Sequence, residues 1–236
     1  MDWRRLNAAR PPAPATARAE LRPSIRDFTQ YLGAGRSALA VIPLLHRRGP
    51  AAGSDLAAIA AALDELEIPA LAVATEPSVF AGRLDDLTAV AGAASAPVLR
   101  YDCVADEERL YESRAAGADA VLVPVAVAGD ALARLTALAR AIHVAIVAEV
   151  ATAAECEHAL AAGAAVLALA PGALALAAHV PPRWPVIAQE PLTSPADLRR
   201  LHGHADAVLL DAALCGAADP AAGARAFVEA AAMLAA

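Results

Sequence analysis

Short apolar runs alternate with amphipathic stretches of about 10 to 15 residues along the chain from Ser37 onward. This alternation is typical of repeated βα units that build a parallel sheet. The apolar runs predict eight strands, at 38–46, 69–75, 97–101, 119–125, 143–149, 164–169, 185–189 and 206–211. Because eight is the number of strands that closes a barrel of this kind, the predicted fold class is α/β, a single-domain (β/α)8 TIM barrel.

Local signals at the ends of the predicted helices agree with this count. Thr152 with Glu155 three residues later reads as a capping box, which marks a helix start. Gly117, Gly163 and Gly203 each precede a predicted strand by a few residues, where a glycine suits the left-handed cap of a helix. The chain therefore repeats one βα unit around a closed barrel.

The first 22 residues differ from the rest of the chain. They are rich in Pro, Ala and Arg and show no sustained hydrophobic period. We predict a mobile arm or a poorly ordered first helix at 1–22, followed by the barrel at 23–236.

Composition and charge narrow the classes of function. All 19 basic residues are arginine, so the chain contains no lysine, and its net charge is -7. No basic block is interleaved with aromatic residues, so nucleic acid is not an expected partner. Three widely spaced cysteines favour reduced thiols and a cytoplasmic location. Gly and Pro interrupt the longest apolar run, at 159–180, which favours a βα segment over a membrane span.

Polar residues gather where the predicted strands end. In (β/α)8 barrels the active site lies at the C-terminal ends of the strands. These ends carry His46, Thr75, Glu76, Tyr101, Asp102, Glu149, Gln189, Glu190 and Asp211. The barrel mouth is therefore the predicted functional site.

Several motifs resemble one enzyme family in order and spacing. They are PSIRDF (23–28), VFAGRLDDL (79–87), PVLRYDCVADEERLYESRAAGADAVL (97–122), VAEV (147–150) and ADAVLLDAAL (205–214). This set resembles the indole-3-glycerol phosphate synthase family, whose enzymes are carbon–carbon lyases of tryptophan biosynthesis. They close an indole ring on an anthranilate-derived ribulose phosphate, with loss of carbon dioxide and water. The resemblance implies a lysine acid after the first strand, a second lysine after the third, and a glutamate after the fifth.

The chain departs from this pattern at both lysines. His46 stands where the first lysine would be, with Leu44 in place of its glutamate partner, and Tyr101 replaces the second lysine. Only Glu149 matches unchanged. With no lysine anywhere, an ammonium acid and a lysine Schiff base are both excluded, and arginine is a poor proton donor. His46 could donate a proton, and Tyr101 could do so only if its pKa were lowered.

The phosphate-binding half also departs from the family. Ala170-Pro171-Gly172 replaces the family's Asn-Asn-Arg stretch, and AQEPL (188–192) replaces SESGI. Asp211 replaces a glycine after the eighth strand. Proline offers no N–H, and carboxylates repel a phosphate dianion. We therefore expect no synthase activity and weak binding of sugar phosphates.

Four interpretations stay open. In the first, the barrel is a non-catalytic scaffold or binding protein. In the second, it is a repurposed lyase-type enzyme that acts on an unphosphorylated or cationic small molecule. In the third, its mouth holds a metal through His46, Glu149, Glu190 and Asp211, and in the fourth it retains the synthase reaction.

In an active protein the catalytic residues would be His46, Tyr101 and Glu149, and the substrate-binding residues would be Asp102, Gln189, Glu190 and Asp211. No cofactor is predicted. The expected partner is a small molecule at the mouth or another protein, no membrane is expected, and the oligomeric state stays open.

Overall fold

The eight predicted strands form a closed barrel. The computed structural model describes residues 1–13, 21, 24–48, 52–211, 214 and 217–234. The strands are Ala40–Leu45 (β1), Leu71–Ala74 (β2), Val98–Tyr101 (β3), Ala120–Pro124 (β4), Ala145–Val150 (β5), Val166–Leu169 (β6), Val186–Ala188 (β7) and Ala207–Leu210 (β8). They pair in parallel in chain order, and β8 pairs with β1. The predicted (β/α)8 barrel is confirmed.

Helices follow every strand except β6 and β7, and one further helix precedes β1. The helices are Trp3–Ala8 (α1), Leu56–Asp64 (α2), Pro77–Phe80 (α3), Leu84–Ala93 (α4), Glu107–Ala115 (α5), Val125–Ala128 (α6), Leu132–Ala141 (α7), Ala153–Ala161 (α8) and Pro220–Leu234 (α9). The 3₁₀ segments Leu174–His179 and Pro195–Arg200 follow β6 and β7. None of the helices in the described ranges is long and apolar enough to cross a membrane.

Side chains alternate between the barrel interior and the helix layer, as the period of two in a strand requires. In β3, Leu99 and Tyr101 belong to the interior cluster, whereas Val98 belongs to the cluster under the helices. The same alternation points Val147 of β5 and Ile187 of β7 into the barrel interior. Interior positions two residues further along these strands are therefore the ones that reach the mouth.

At the end of the barrel opposite the mouth, two aspartates form hydrogen bonds to the first residue of a neighbouring strand. Asp119 Oδ2 accepts the backbone N–H of Val98 at 2.8 Å, and Asp206 Oδ2 accepts that of Val186 at 2.8 Å. Both follow a glycine with positive φ, Gly117 at 99° and Gly203 at 80°, and Gly163 has φ 75°. The three predicted left-handed helix caps are confirmed, since this backbone conformation favours glycine.

The N-terminal segment packs on the barrel where it is described. Asp2 caps α1 by accepting the N–H of Arg5, and Trp3 is only 4% exposed. A first helix is therefore present, and it carries a buried tryptophan. Residues 14–20 and 22 of the predicted arm lie outside the described residues, and the mobility of the arm stays a prediction.

Candidate functional site

A cavity of about 330 Å³ opens at the C-terminal ends of the strands. Five of the seven predicted site residues line it: Tyr101, Glu149, Gln189, Glu190 and Asp211. Phe80, Leu44 and Leu209 supply its apolar wall. We call this cavity the mouth site. Its polar groups are dominated by carboxylates, with Arg48 as the lining arginine.

Two of the larger cavities, of about 390 and 600 Å³, border the N-terminal ends of the strands. In each of them an acidic residue already has partners within the fold. Asp119 pairs with Arg26, and Asp64 accepts three hydrogen bonds from Ser95 and Ala96. These carboxylates hold chain segments together, so the mouth site is the better candidate for function.

A chain of hydrogen bonds links three polar residues inside the mouth site. The Tyr101 hydroxyl donates to Gln189 Oε1 at 2.7 Å, and Gln189 Nε2 donates to Glu149 Oε2 at 3.0 Å. Strand alternation explains the meeting, because each residue continues the inward-facing positions of its own strand. Gln189 thus uses both ends of its amide inside the site.

The environment makes Tyr101 a weaker acid than usual. Burial raises the pKa of Tyr101 above its ordinary value, and the charges of Glu149 and Asp211 raise it further. A phenol in this setting does not release its proton at neutral pH. A catalytic acid at Tyr101 would need a lowered pKa, so this environment lends that role no support, and the role stays a prediction.

Glu149 has the properties of a carboxylate held in a partly dry site. Burial raises the pKa of Glu149, while the hydrogen bond from Gln189 and the indole of Trp3 oppose the rise. A raised pKa brings a carboxyl group closer to the range in which it can exchange protons near neutrality. Of the three predicted catalytic residues, Glu149 is therefore the one whose pKa shift favours proton exchange with a ligand.

Both ring nitrogens of His46 are engaged by the protein. Nε2 lies 2.8 Å from Asp211 Oδ1, and Nδ1 accepts the backbone N–H of Arg48 at 3.0 Å. Because Nδ1 is an acceptor, the proton of the neutral ring resides on Nε2 and is donated to Asp211. His46 itself is 4% exposed. It reaches the mouth site through Asp211 and positions that carboxylate.

The Glu190 carboxylate accepts a hydrogen bond from a backbone N–H in the segment after β6. Its Oε1 accepts the N–H of Gly172 at 2.7 Å, and Arg200 lies 3.7 Å from its other oxygen. A free backbone N–H at this place would suit a phosphate oxygen. Here the carboxylate of the chain itself takes that donor, so an anionic ligand would have to displace it.

Asp102 is not brought together with the other predicted site residues. It is fully buried and bonds Thr75 at 2.6 Å, Arg100 at 3.1 Å and the guanidinium of Arg10. Burial alone raises the pKa of Asp102, but the charges of Arg100 and Arg10 outweigh it and lower the pKa. Strand alternation turns Asp102 away from the interior, into a structural ion-pair network, and its substrate-binding role stays an untested prediction.

The predicted metal ligands do not converge. No group of three or more His, Cys, Asp or Glu side chains suited to a metal ion occurs among the described residues. His46 meets Asp211, whereas Glu149 bonds Gln189 and Glu190 bonds Gly172. The hypothesis of a metal at the mouth gains no support from this geometry.

Sequence reasoning missed two residues that border the mouth site. Trp3 packs edge-on against Tyr101 with ring centroids 5.8 Å apart, and Arg48 lies 3.4 Å from Asp211 and over the Phe80 ring. A tryptophan among arginines and prolines at the chain start was the available signal for Trp3. Its partner lies in β3, so no local pattern predicts the contact.

A closed (β/α)8 barrel whose polar residues meet at the C-terminal strand ends has the architecture of barrel enzymes and their relatives. The family model of indole-3-glycerol phosphate synthase matches residues 4–227, and the chain belongs to this family. The indole-3-glycerol phosphate synthase of Mycobacterium leprae (strain Br4923) is 35% identical over 232 residues, covering 90% of this chain and 80% of that protein. The corresponding synthase of Deinococcus radiodurans is 33% identical over 208 residues, covering 80% and 78%.

Solved structures support the same fold. The crystal structure of 3-hexulose-6-phosphate synthase superimposes with a TM-score of 0.64 at 21% sequence identity, covering 82% of this chain and 99% of that one. At this level of identity the likeness shows the fold alone.

The Tyr101–Gln189 hydrogen bond joins two neutral side chains, both of them buried. A charge placed on one of them alone would be buried without a compensating partner, which is costly. The pair therefore keeps this part of the interior electrically neutral.

Proposed function

We propose that this chain is a family member that has lost the synthase reaction and acts as a non-catalytic binding protein through its mouth site. The observation that carries the proposal is the state of the two residues that replace the lysine acids. The Tyr101 hydroxyl donates to Gln189 and its pKa is raised by burial, and both nitrogens of His46 are engaged. Neither group is available as an acid toward a ligand.

The charges of the mouth site support a ligand without phosphate. Glu190 and Asp211 line the cavity, and Glu190 already takes the N–H of Gly172. Like charges near a phosphate repel it, because the interaction of two charges a few Å apart is worth roughly several kcal/mol at the effective dielectric of a protein surface. A neutral or cationic small molecule suits this lining better.

The repurposed lyase is less well supported than the binding protein. Two of its three proposed catalytic residues, Tyr101 and His46, already form hydrogen bonds within the protein. Neither can therefore serve as the acid that Glu149 would need as a partner. A single carboxylate can bind or polarise a ligand, but acid–base catalysis of a lyase step generally uses a second group.

Retention of the synthase reaction is the second candidate. The names of the relatives favour it, because those at 33% and 35% identity are named for that activity. Glu149 also matches the family motif. Against it stand the absence of lysine from the whole chain and the two replaced acids.

Turnover of the anthranilate-derived ribulose phosphate by purified protein separates the two candidates. We expect no indole product above the background rate and no rescue of a tryptophan auxotroph. The matched control is Glu149→Gln, which keeps the shape of the side chain. Turnover by the parent that this variant abolishes would overturn the proposal.

Binding is tested by thermal shift against cationic, neutral and phosphorylated metabolites. We expect a saturable shift with a cationic or neutral compound that Glu149→Gln or Asp211→Asn weakens. A shift confined to sugar phosphates would contradict the proposed ligand class, and no shift with any compound would contradict small-molecule binding.

A further inference from the structure

Helix α1 lies across the mouth and fills part of it with a side chain. Trp3 is 4% exposed and belongs to the same apolar cluster as the interior residues Leu99, Leu122 and Val147. Its ring meets Tyr101 at 5.8 Å and 64°, the edge-to-face arrangement that aromatic pairs prefer. The interior of the barrel thus continues into a residue of the N-terminal segment.

The indole of Trp3 makes the kind of contact that a ligand would make. Its Nε1 is buried and has no hydrogen-bond partner among the described residues, although Trp3 and Glu149 line the same cavity. A buried N–H without a full partner is uncommon in folded proteins. Trp3 therefore occupies a polar site that it only partly satisfies.

Polar contacts hold this segment at both ends. Near its start, Arg4 Nε donates to the carbonyl of Ala126 at 3.1 Å. Near its end, Arg10 pairs with the buried Asp102, and Arg109 Nη2 donates to the carbonyl of Pro11 at 2.7 Å. Between these anchors α1 has 6 residues, too few for a helix to be stable on its own. The helix depends on its contacts, so breaking one anchor can release it.

We propose that residues 3–13 form a releasable plug, with Trp3 as the built-in occupant of the mouth and the Arg10–Asp102 ion pair as the contact that holds it closed. A ligand of the mouth site then competes with Trp3 for the space beside Tyr101 and Glu149. This inference concerns access to the site and does not rest on whether the site catalyses a reaction.

Tryptophan fluorescence reports the plug directly. Trp3 and Trp184 are the two tryptophans of the chain, and Trp184 precedes β7 at the end away from the mouth. Trp184→Phe leaves Trp3 as the only reporter. We expect blue-shifted emission from this variant and acrylamide quenching several-fold weaker than in urea-unfolded protein. Emission and quenching at the level of unfolded protein would overturn the proposal.

The ion pair is tested in the same background with Arg10→Gln, which removes the charge and keeps much of the side-chain length. We expect quenching of Trp3 to rise several-fold while circular dichroism shows an intact barrel. The matched control is Arg5→Gln, because Arg5 is an exposed arginine of α1, and it should leave quenching unchanged. Equal quenching in the Arg10 variant and the parent would contradict the role of the pair.

A second measurement asks whether Trp3 fills a ligand-like site. Trp3→Ala vacates the space, and free indole, the side chain of Trp3 without its backbone, should then raise the melting temperature of the variant and not of the parent. Benzofuran has nearly the same shape but no N–H, so it should bind several-fold more weakly. An absent indole shift, or equal binding of the two probes, would overturn the assigned contact with Glu149.

Discussion

The Tyr101 hydroxyl donates to Gln189 Oε1 at 2.7 Å, and the same amide donates onward to Glu149. This bond joins the ends of β3 and β7 across the barrel mouth. Both members of the pair are buried, and each satisfies a polar group of the other. This contact predicts that the two residues are energetically coupled.

A double-mutant cycle measures that coupling. Tyr101→Lys alone buries an ammonium beside a neutral amide, and Gln189→Glu alone adds a second carboxylate beside Glu149; each should destabilise the barrel. In the double variant the introduced charges compensate each other. We expect a favourable interaction energy of about 1–3 kcal/mol from urea unfolding of the four proteins. Additive losses would show that the two positions act independently.

The ion-pair network around Asp102 gives a prediction for stability. Asp102→Asn leaves the buried guanidinium of Arg100 with less compensation, so we expect a loss of about 3 kcal/mol in the free energy of unfolding at neutral pH. The pKa of Asp102 is lowered in the fold, so its contribution is present above the unfolded pKa of about 3.9 and is lost as the pH falls through the folded value.

Urea unfolding of both proteins between neutral pH and about pH 3 checks this sign. The gap between wild type and Asp102→Asn should narrow as the pH falls. Asp130→Asn, at an exposed position, is the control and should cost little at any pH. A gap that widens toward acid would contradict the assignment of Asp102 to a structural network.

The barrel itself was predictable because its signals are local. Each strand is a short apolar run, and glycines such as Gly117 and Gly203 mark where helices turn into strands. The same period of two also determines which residues point inward, and by it Arg100, between the inward-facing Leu99 and Tyr101, belongs to the outer network. Applied to Asp102, that rule would have removed it from the predicted site.

The state of the mouth was not predictable, because it depends on contacts between distant segments. Nothing near Trp3 in the sequence indicates that it packs on Tyr101, and nothing near Glu190 indicates that its carboxylate takes the N–H of Gly172. Sequence supplies the residue types that gather at the mouth. Their hydrogen-bond partners, which decide whether a group can act as an acid, follow only from the packed structure.

Gly82, in the VFAGRLDDL stretch (79–87), is required for steric reasons. A Cβ built on Gly82 would lie 2.1 Å from the carbonyl oxygen of Ala74, in the backbone at the end of β2. Gly82→Ala should therefore destabilise the barrel by about 3 kcal/mol or more, since backbone must move. Gly92→Ala is the matched control, because a Cβ there meets nothing within 4 Å and α4 gains up to about 1 kcal/mol. Thermal unfolding of both variants tests the contrast, and equal effects would contradict it.

At neutral pH the protein should be less stable with glutamate at position 149 than with glutamine. Burial raises the pKa of Glu149, so its contribution is favourable below the unfolded pKa of about 4.3 and is lost as the pH rises through the folded value. Glu149→Gln removes the charge and keeps an oxygen that can accept from Gln189. The variant should unfold at a higher urea concentration than wild type at neutral pH, and this difference should shrink toward about pH 4.

The control is Glu229→Gln, at an exposed position of α9, which measures the effect on stability of neutralising a surface carboxylate. A variant less stable than wild type at neutral pH would mean that the charged carboxylate is held by stronger contacts than Gln189 and Trp3 provide.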